Sequence, residues 1–182
     1  IYFRDENFFQ NKMRVIEFIK LYKENNFHFT WTANCRADFF NDNYINEEFI
    51  RQLEEINCAN LAFGLESGSN KILKKLNKKI SVDQSIHAAH QLAPSSIKRR
   101  RYSFMMGLPD ENYQDYIATF KLIREIVRVD PKATIIGPQY FRVYPGGKLY
   151  DEILERYFYK TPDKFEDWCL FLTNENDPNE LF

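Results

Sequence analysis

Residues 60–76 read Asn60-Leu61-Ala62-Phe63-Gly64-Leu65-Glu66-Ser67-Gly68-Ser69-Asn70-Lys71-Ile72-Leu73-Lys74-Lys75-Leu76. The stretch changes character twice. Residues 60–64 (NLAFG) are short, apolar and strand-forming, and Glu66-Ser67-Gly68 is polar and glycine-bearing. Beyond Ser69, a residue suited to capping, Ile72, Leu73 and Leu76 recur at helical spacing. A strand that passes through a polar turn directly into a helix is half of a βαβ unit. Gly64 and Gly68 would let a ligand approach the backbone closely. Ser67, Ser69 and the first free N–H groups of the helix suit a carboxylate or a ribose. The plainer alternative is a helix cap with a solvated glutamate, and the segment is too short to choose.

The same succession recurs on both sides. Upstream, residues 1–3 are strand-prone, and residues 11–25 place Val15, Phe18, Ile19 and Tyr22 on one helical stripe. Residues 28–33 (HFTWTA) read as a strand, and residues 46–57 as a helix with Phe49, Leu53 and Ile56 inward and Asn46 as N-cap. Downstream, Ser81 and Gln84 form a capping box that opens a helix through Ile86, Ala89 and Ala93. Residues 102–106 (YSFMM) are a fourth strand, and residues 112–129 a long helix with Tyr116, Phe120, Ile123 and Val127 inward, closed by Pro131. Residues 134–143 supply a fifth strand interrupted by Gly137-Pro138, and residues 148–157 a last helix. Repeats of about 30 to 40 residues per step are the βαβ rhythm. The class is α/β with parallel strands, in an open doubly wound sheet or part of a barrel. The apolar strands lead us to expect that both sheet faces are covered. Residues 1–157 are expected to form this unit, and residues 158–182 an irregular C-terminal segment.

Composition sets the outer limits. With 182 residues, 44% hydrophobic and 16% aromatic, the chain can bury a core, so disorder is excluded. Its 25 Lys and Arg against 26 Asp and Glu leave a net charge of -1. That argues against a surface built wholly to attract nucleic acid or membrane. The three cysteines, Cys35, Cys58 and Cys169, form no CxxC, so the chain carries no cysteine-based zinc or iron–sulfur motif of its own. The sparse, odd count also argues against a secreted disulfide scaffold, and a cytoplasmic location is expected. No run of about 18 apolar residues is present to span a membrane. The chain opens on Ile1-Tyr2-Phe3 with no initiator Met, which we read as a cut inside a larger protein.

The chemistry-bearing residues cluster by position. Asp5-Glu6-Asn7, Asn34-Cys35-Arg36, Glu66-Ser67-Gly68 and Gly107-Leu108-Pro109 each follow a strand, and Arg142 lies near the end of the fifth. In parallel α/β folds ligands bind at these carboxyl ends. Arg36 could clamp a carboxylate or pair with Asp38 or Asp42. Asp5 and Glu6 would point to opposite sides, so they form no acid/base dyad. The run Lys98-Arg99-Arg100-Arg101 reads as a solvated loop edge rather than a nucleic-acid patch. His87 and His90 read as ordinary helix residues rather than a metal pair, and Trp31 and Trp168 as core.

Taken in order, five segments resemble the radical SAM superfamily, in particular the group fused to cobalamin-binding domains, which includes anaerobic magnesium-protoporphyrin ester cyclases. They are Phe3-Arg4-Asp5-Glu6-Asn7-Phe8-Phe9, Trp31-Thr32-Ala33-Asn34-Cys35-Arg36-Ala37-Asp38, Phe63-Gly64-Leu65-Glu66-Ser67-Gly68-Ser69, Phe104-Met105-Met106-Gly107-Leu108-Pro109 and Phe141-Arg142-Val143-Tyr144-Pro145-Gly146-Gly147-Lys148-Leu149-Tyr150. The resemblance implies a partial (β/α)6 barrel in which residues 1–3 stand for the third strand. The first two strands and the CxxxCxxC loop that holds a [4Fe–4S] cluster would lie outside this chain. It implies an enzyme that, in its longer parent, cleaves S-adenosylmethionine (SAM) to a 5′-deoxyadenosyl radical, with cobalamin a further cofactor of the group. This chain would supply a SAM-binding wall and be inactive alone. By the resemblance, Glu66 and Ser67 lie near the ribose or methionine moiety. Arg36 and Lys78 serve the SAM carboxylate, Ser103 faces the barrel interior, and the Gly107 backbone lies near adenine. Asp5 and Arg142 fall on the substrate side. The implied partners are a small-molecule substrate and the rest of the barrel; the near-neutral charge argues against nucleic acid, and no membrane span is expected. The first strand, lacking its neighbour, would leave an edge open to self-association.

Two other functions compete on the residues alone. A (β/α)-barrel lyase or aldolase would need Lys78 or Lys148 desolvated at the rim. A non-catalytic nucleic-acid-binding module would use residues 98–101.

Overall fold

The computed structural model describes residues 1–143, 145–146, 148–157, 162 and 164–168. The chain divides into two compact units, Ile1–Phe141 and Arg142–Phe182. The second contains α6 (Lys148–Tyr157), with an Arg156–Glu152 pair at 3.6 Å one turn apart. The segment 158–182, expected to be irregular, lies largely outside the described residues.

The first unit alternates strands and helices as its periodicity requires. It contains α1 (Lys12–Glu24), β1 (Trp31–Cys35), α2 (Glu47–Glu55), β2 (Cys58–Glu66), α3 (Asn70–Lys75), α4 (Val82–Leu92), β3 (Arg99–Met106), α5 (Tyr113–Val129) and β4 (Ala133–Tyr140). All pairings are parallel, in the order β1-β2-β3-β4. Residues 1–3 extend the sheet beyond β1: the Phe3 N–H donates to Thr32 O and the Thr32 N–H to Ile1 O, both at 3.0 Å. Helix starts follow local chemistry. Asn46 Oδ1 accepts from Phe49 N at 3.0 Å, and Ser81 and Gln84 form the expected capping box. Ser69 holds the N-cap position of α3 without capping it; its hydroxyl donates instead to Asp115 Oδ1 at 2.7 Å.

Strand alternation sorts the sheet into two faces. Trp31, Ala33, Cys35, Leu61, Phe63, Leu65, Tyr102 and Phe104 are all buried in the core. Trp31 anchors an aromatic cluster with Phe3, Phe8 and Phe18, and its Nε1–H donates to Ile56 O at 2.8 Å. Losing a large buried aromatic of this kind costs about 3–5 kcal/mol. The intervening residues Thr32, Asn34, Ala62, Gly64, Arg101 and Ser103 lie on the other face and are half-buried or exposed. The expectation that both faces are covered is therefore corrected. One face is covered and the other is open and polar, because small and polar residues alternate with the large apolar ones.

Two further expectations change. The inward face of α5 is Asp115, Thr119, Leu122 and Ile126, while Phe120 and Val127 are 50% and 46% exposed. Close packing on Gly68 decides this: a Cβ there would lie 2.3 Å from Ala118 O. The Gly68 N–H also donates to Thr119 Oγ1 at 2.9 Å, which turns the Thr119 stripe inward. The basic run is not a loop edge. Residues 99–101 begin β3, and Arg100 is fully buried on Asp130, with one further bond to Ile97 O. Strand β4 continues through the cis Gly137–Pro138 peptide instead of breaking there.

Candidate functional site

The open face of the sheet forms one wall of a cleft of about 870 Å³, within the range of small-molecule sites. Its lining includes Asn34, Arg36, Gly64, Lys78, Arg101 and Ser103. Register explains the grouping. Asn34 lies beside Ala62 and Ala62 beside Arg101; Gly64 lies beside Ser103 and Ser103 beside Ile136.

At the carboxyl end of β2 the ladder to β3 shifts between Gly64 and Glu66, and Glu66 takes a φ of 65°. Such a conformation is uncommon for a residue with a side chain and concentrates at functional sites. It brings Glu66 Oε1 to 2.7 Å from Lys78 Nζ. A Cβ on Gly64 would lie 2.5 Å from Glu66 Oε1 and 3.0 Å from Lys78 Nζ. Gly64 thus makes room over the backbone for an ion pair of the chain's own side chains.

Arg36 resolves to the structural alternative. It forms a two-pronged contact with Asp38 at 2.9 and 3.0 Å and donates to the carbonyls of Lys78 and Lys79 at 3.0 and 3.3 Å. It lines the cleft while bracing the loop that carries Lys78. Ser67 is fully buried and turned away from the cleft, its hydroxyl 3.3 Å from Thr119 Oγ1 and accepting from Ser69 N at 3.1 Å. Gly68 does not admit a ligand: its open space is filled by α5. Ser103 lines the cleft and donates to Phe63 O at 3.2 Å. Gly107, with a φ of 75°, ends β3 in the turn that Glu111 ties through Leu108 N at 3.0 Å. Asp5 pairs with Arg14 at 2.9 Å, and its carbonyl accepts from Asn34 Nδ2 at 3.1 Å. Arg142 is the first residue of the second unit.

The cleft residue that the sequence reading placed elsewhere is Arg101. Its signal was there: Arg99, Arg101 and Ser103 alternate along one face of a strand that starts earlier than its apolar part. The carboxyl end of β3 is held from below. Asp115 takes bonds from Ser69, Lys71 and Asn112 N, and Lys71 Nζ reaches Asp110 O at 3.0 Å. Burial pushes the Asp115 carboxyl up, but these donors outweigh it and hold it below the usual range. Burial raises Glu111.

A parallel sheet with helices on one face and a polar cleft on the other belongs to the (β/α)-barrel class of ligand-binding folds. The model of the radical SAM superfamily matches residues 5–123, and the chain belongs to that superfamily. It is 31% identical over 151 residues to a protein of Pyrococcus horikoshii named an uncharacterized methyltransferase, covering 83% of this chain and 30% of that protein. It is 33% identical over 89 residues to tRNA-2-methylthio-N(6)-dimethylallyladenosine synthase of Thermoanaerobacter pseudethanolicus, covering 48% of this chain and 18% of that enzyme. Among solved structures it is similar in fold to the cobalamin-dependent SAM radical enzyme OxsB, with a TM-score of 0.57 at 18% identity, covering 87% of this chain and 23% of OxsB. It is also similar in fold to coproporphyrinogen III oxidase (HemN) of Escherichia coli, with a TM-score of 0.58 at 14% identity, covering 91% of this chain and 37% of HemN. The chain thus spans less than a third of these two relatives by sequence.

Membership implies SAM and a [4Fe–4S] cluster. The described residues do not fit the cluster. None of them form a group of three His, Cys, Asp or Glu able to hold a metal, and Cys35 and Cys58 are buried in the core. Burial pushes both thiols well up, away from the thiolate a cluster needs. The cleft does fit a polar, zwitterionic molecule. Lys78, paired with Glu66, lines it, as does Asn7, whose Oδ1 is buried without a partner. No helix among the described residues is long and apolar enough to cross a membrane.

Proposed function

We propose that the first unit, Ile1–Phe141, forms the cofactor-side wall of a radical SAM enzyme whose cluster loop and remaining barrel strands belong to a longer parent. The Glu66–Lys78 pair at 2.7 Å, set over Gly64 at the end of β2, carries the proposal. A carboxylate and an ammonium held together match the amino and carboxylate groups of SAM with opposite charge. Lys78 takes the SAM carboxylate and Glu66 its amino group or ribose. Ser103 lies along the cleft wall, and the Gly107 backbone meets the adenine. Arg36 acts through the loop of Lys78 rather than on SAM, and Ser67 supports the turn. SAM bound against a reducing cluster supplies a 5′-deoxyadenosyl radical, and such chemistry suits the reducing cytoplasm.

The substrate is a small molecule. The methyltransferase and methylthio names of the relatives support group transfer as the outcome, and the likeness to OxsB brings cobalamin into the same reading. Family membership displaces the lyase reading, for which the ion-paired Lys78 is a poor nucleophile; the side chain of Lys148 lies outside the described residues. The nucleic-acid reading loses its patch, since Arg100 is buried between two residues that face the other way.

The test is reconstitution of the longer parent with iron and sulfide. It should show cluster absorbance and release methionine and 5′-deoxyadenosine from SAM. Failure of both sinks the proposal. The chain alone should show no cluster absorbance and should bind S-adenosylhomocysteine weakly.

A further inference from the structure

Of the charged side chains that line the cleft, Arg36, Asp38 and Lys78 are already paired. Arg36 is held by Asp38, and Lys78 by Glu66. Arg101 differs. It lines the cleft, is exposed, and makes no ion pair among the described residues. Its neighbours Arg100 and Tyr102 are buried on the helix side, so alternation points Arg101 into the cleft. It stands beside Ala62 on β2 and Thr134 on β4, with Asn34 on the far side of Ala62. Ser103 follows two residues on, about 7 Å further along the strand. Ala62 and Gly64 add almost no bulk, so the floor beside the guanidinium is open. Glu6 also lines the cleft and makes no ion pair with Arg101. A guanidinium on a concave wall concentrates positive potential and offers a planar two-pronged donor.

We infer that Arg101 anchors an anionic group of the small-molecule substrate, a carboxylate or a phosphate, one inner row below Ser103. This rests on the proposed cofactor wall: the anchored end lies on the cleft floor and the rest of the substrate reaches up toward the strand ends. The bond is a charge-assisted pair with no covalent step.

The test uses the full chain labelled with nitrogen-15, reading arginine Nε–H signals by nuclear magnetic resonance. Arg101→Gln and Arg99→Gln assign the two signals. Propionate and inorganic phosphate are titrated separately at constant ionic strength. A saturable shift of the Arg101 signal with either anion supports the inference, and the anion that gives it distinguishes carboxylate from phosphate. Calorimetry should then show affinity reduced roughly tenfold or more in Arg101→Gln and retained in Arg99→Gln. No shift with either anion overturns the inference, as does an equal, non-saturating shift of both arginines, which marks charge screening. S-adenosylhomocysteine is titrated into the same sample. If it fails to bind while the anion shift persists, the cofactor wall is wrong and the anion site stands.

Discussion

Glu66 is the residue on which local strain, electrostatics and the proposed chemistry meet. Its φ of 65° is held by the bulge after Gly64 and by the pair with Lys78. Gly64→Ala would bring a methyl against the tips of Glu66 and Lys78, which are flexible, so thermal stability should change little. The pair itself must move, and affinity for S-adenosylhomocysteine should fall. Lys78→Met removes a charge-assisted contact of about 1.5–3 kcal/mol, so binding by calorimetry should weaken roughly tenfold or more. Unchanged affinity in both variants would remove the pair from the cofactor site. The role of Glu66 was legible in the sequence as a carboxylate after an apolar strand. Its partner was not chosen, because Lys78 reaches it only through the turn after α3.

Element packing turns on Gly68 and α5. Gly68→Ala places a methyl 2.3 Å from the Ala118 carbonyl, which is backbone and cannot rotate away. Destabilisation of about 1–3 kcal/mol or more should follow in urea titrations, in contrast to Gly64→Ala. Asp115 ties the same helix to α3. Its carboxyl is depressed in the folded chain, so it contributes stability above about pH 3.9 that is lost as the pH falls through the depressed value. Asp115→Asn should therefore lower the melting temperature near pH 7, with the difference from wild type shrinking in acid. On the other side of β3, Arg100 and Asp130 are both fully buried. Asp130→Ala strands a guanidinium in the core and should cost about 3–5 kcal/mol. The sequence pattern did not distinguish the two overlapping apolar stripes of α5. Helical spacing identifies candidate faces, but the partner surface, here a glycine, selects one.

At the scale of the whole molecule, the sheet ends on residues 1–3, beyond which no strand pairs among the described residues. An open edge is a template for another strand. Hydrogen exchange at Phe3 should be much faster than at Leu61 and Tyr102 in the centre of the sheet. Sedimentation of the chain alone should show association that grows with concentration. Slow exchange at Phe3 in a monomer would contradict both expectations.

The element order, the parallel α/β class and the superfamily were all contained in the linear order of residues. They depend on periodicity, caps and turn chemistry, which act over a few neighbours. The tertiary structure decided which face each side chain serves. It engaged Arg36 with Asp38, buried Ser67 under α5, split Arg100 from Arg101 across the sheet and joined Glu66 to Lys78. Those outcomes depend on register and on which backbone can approach which, and such contacts form only when distant segments pack.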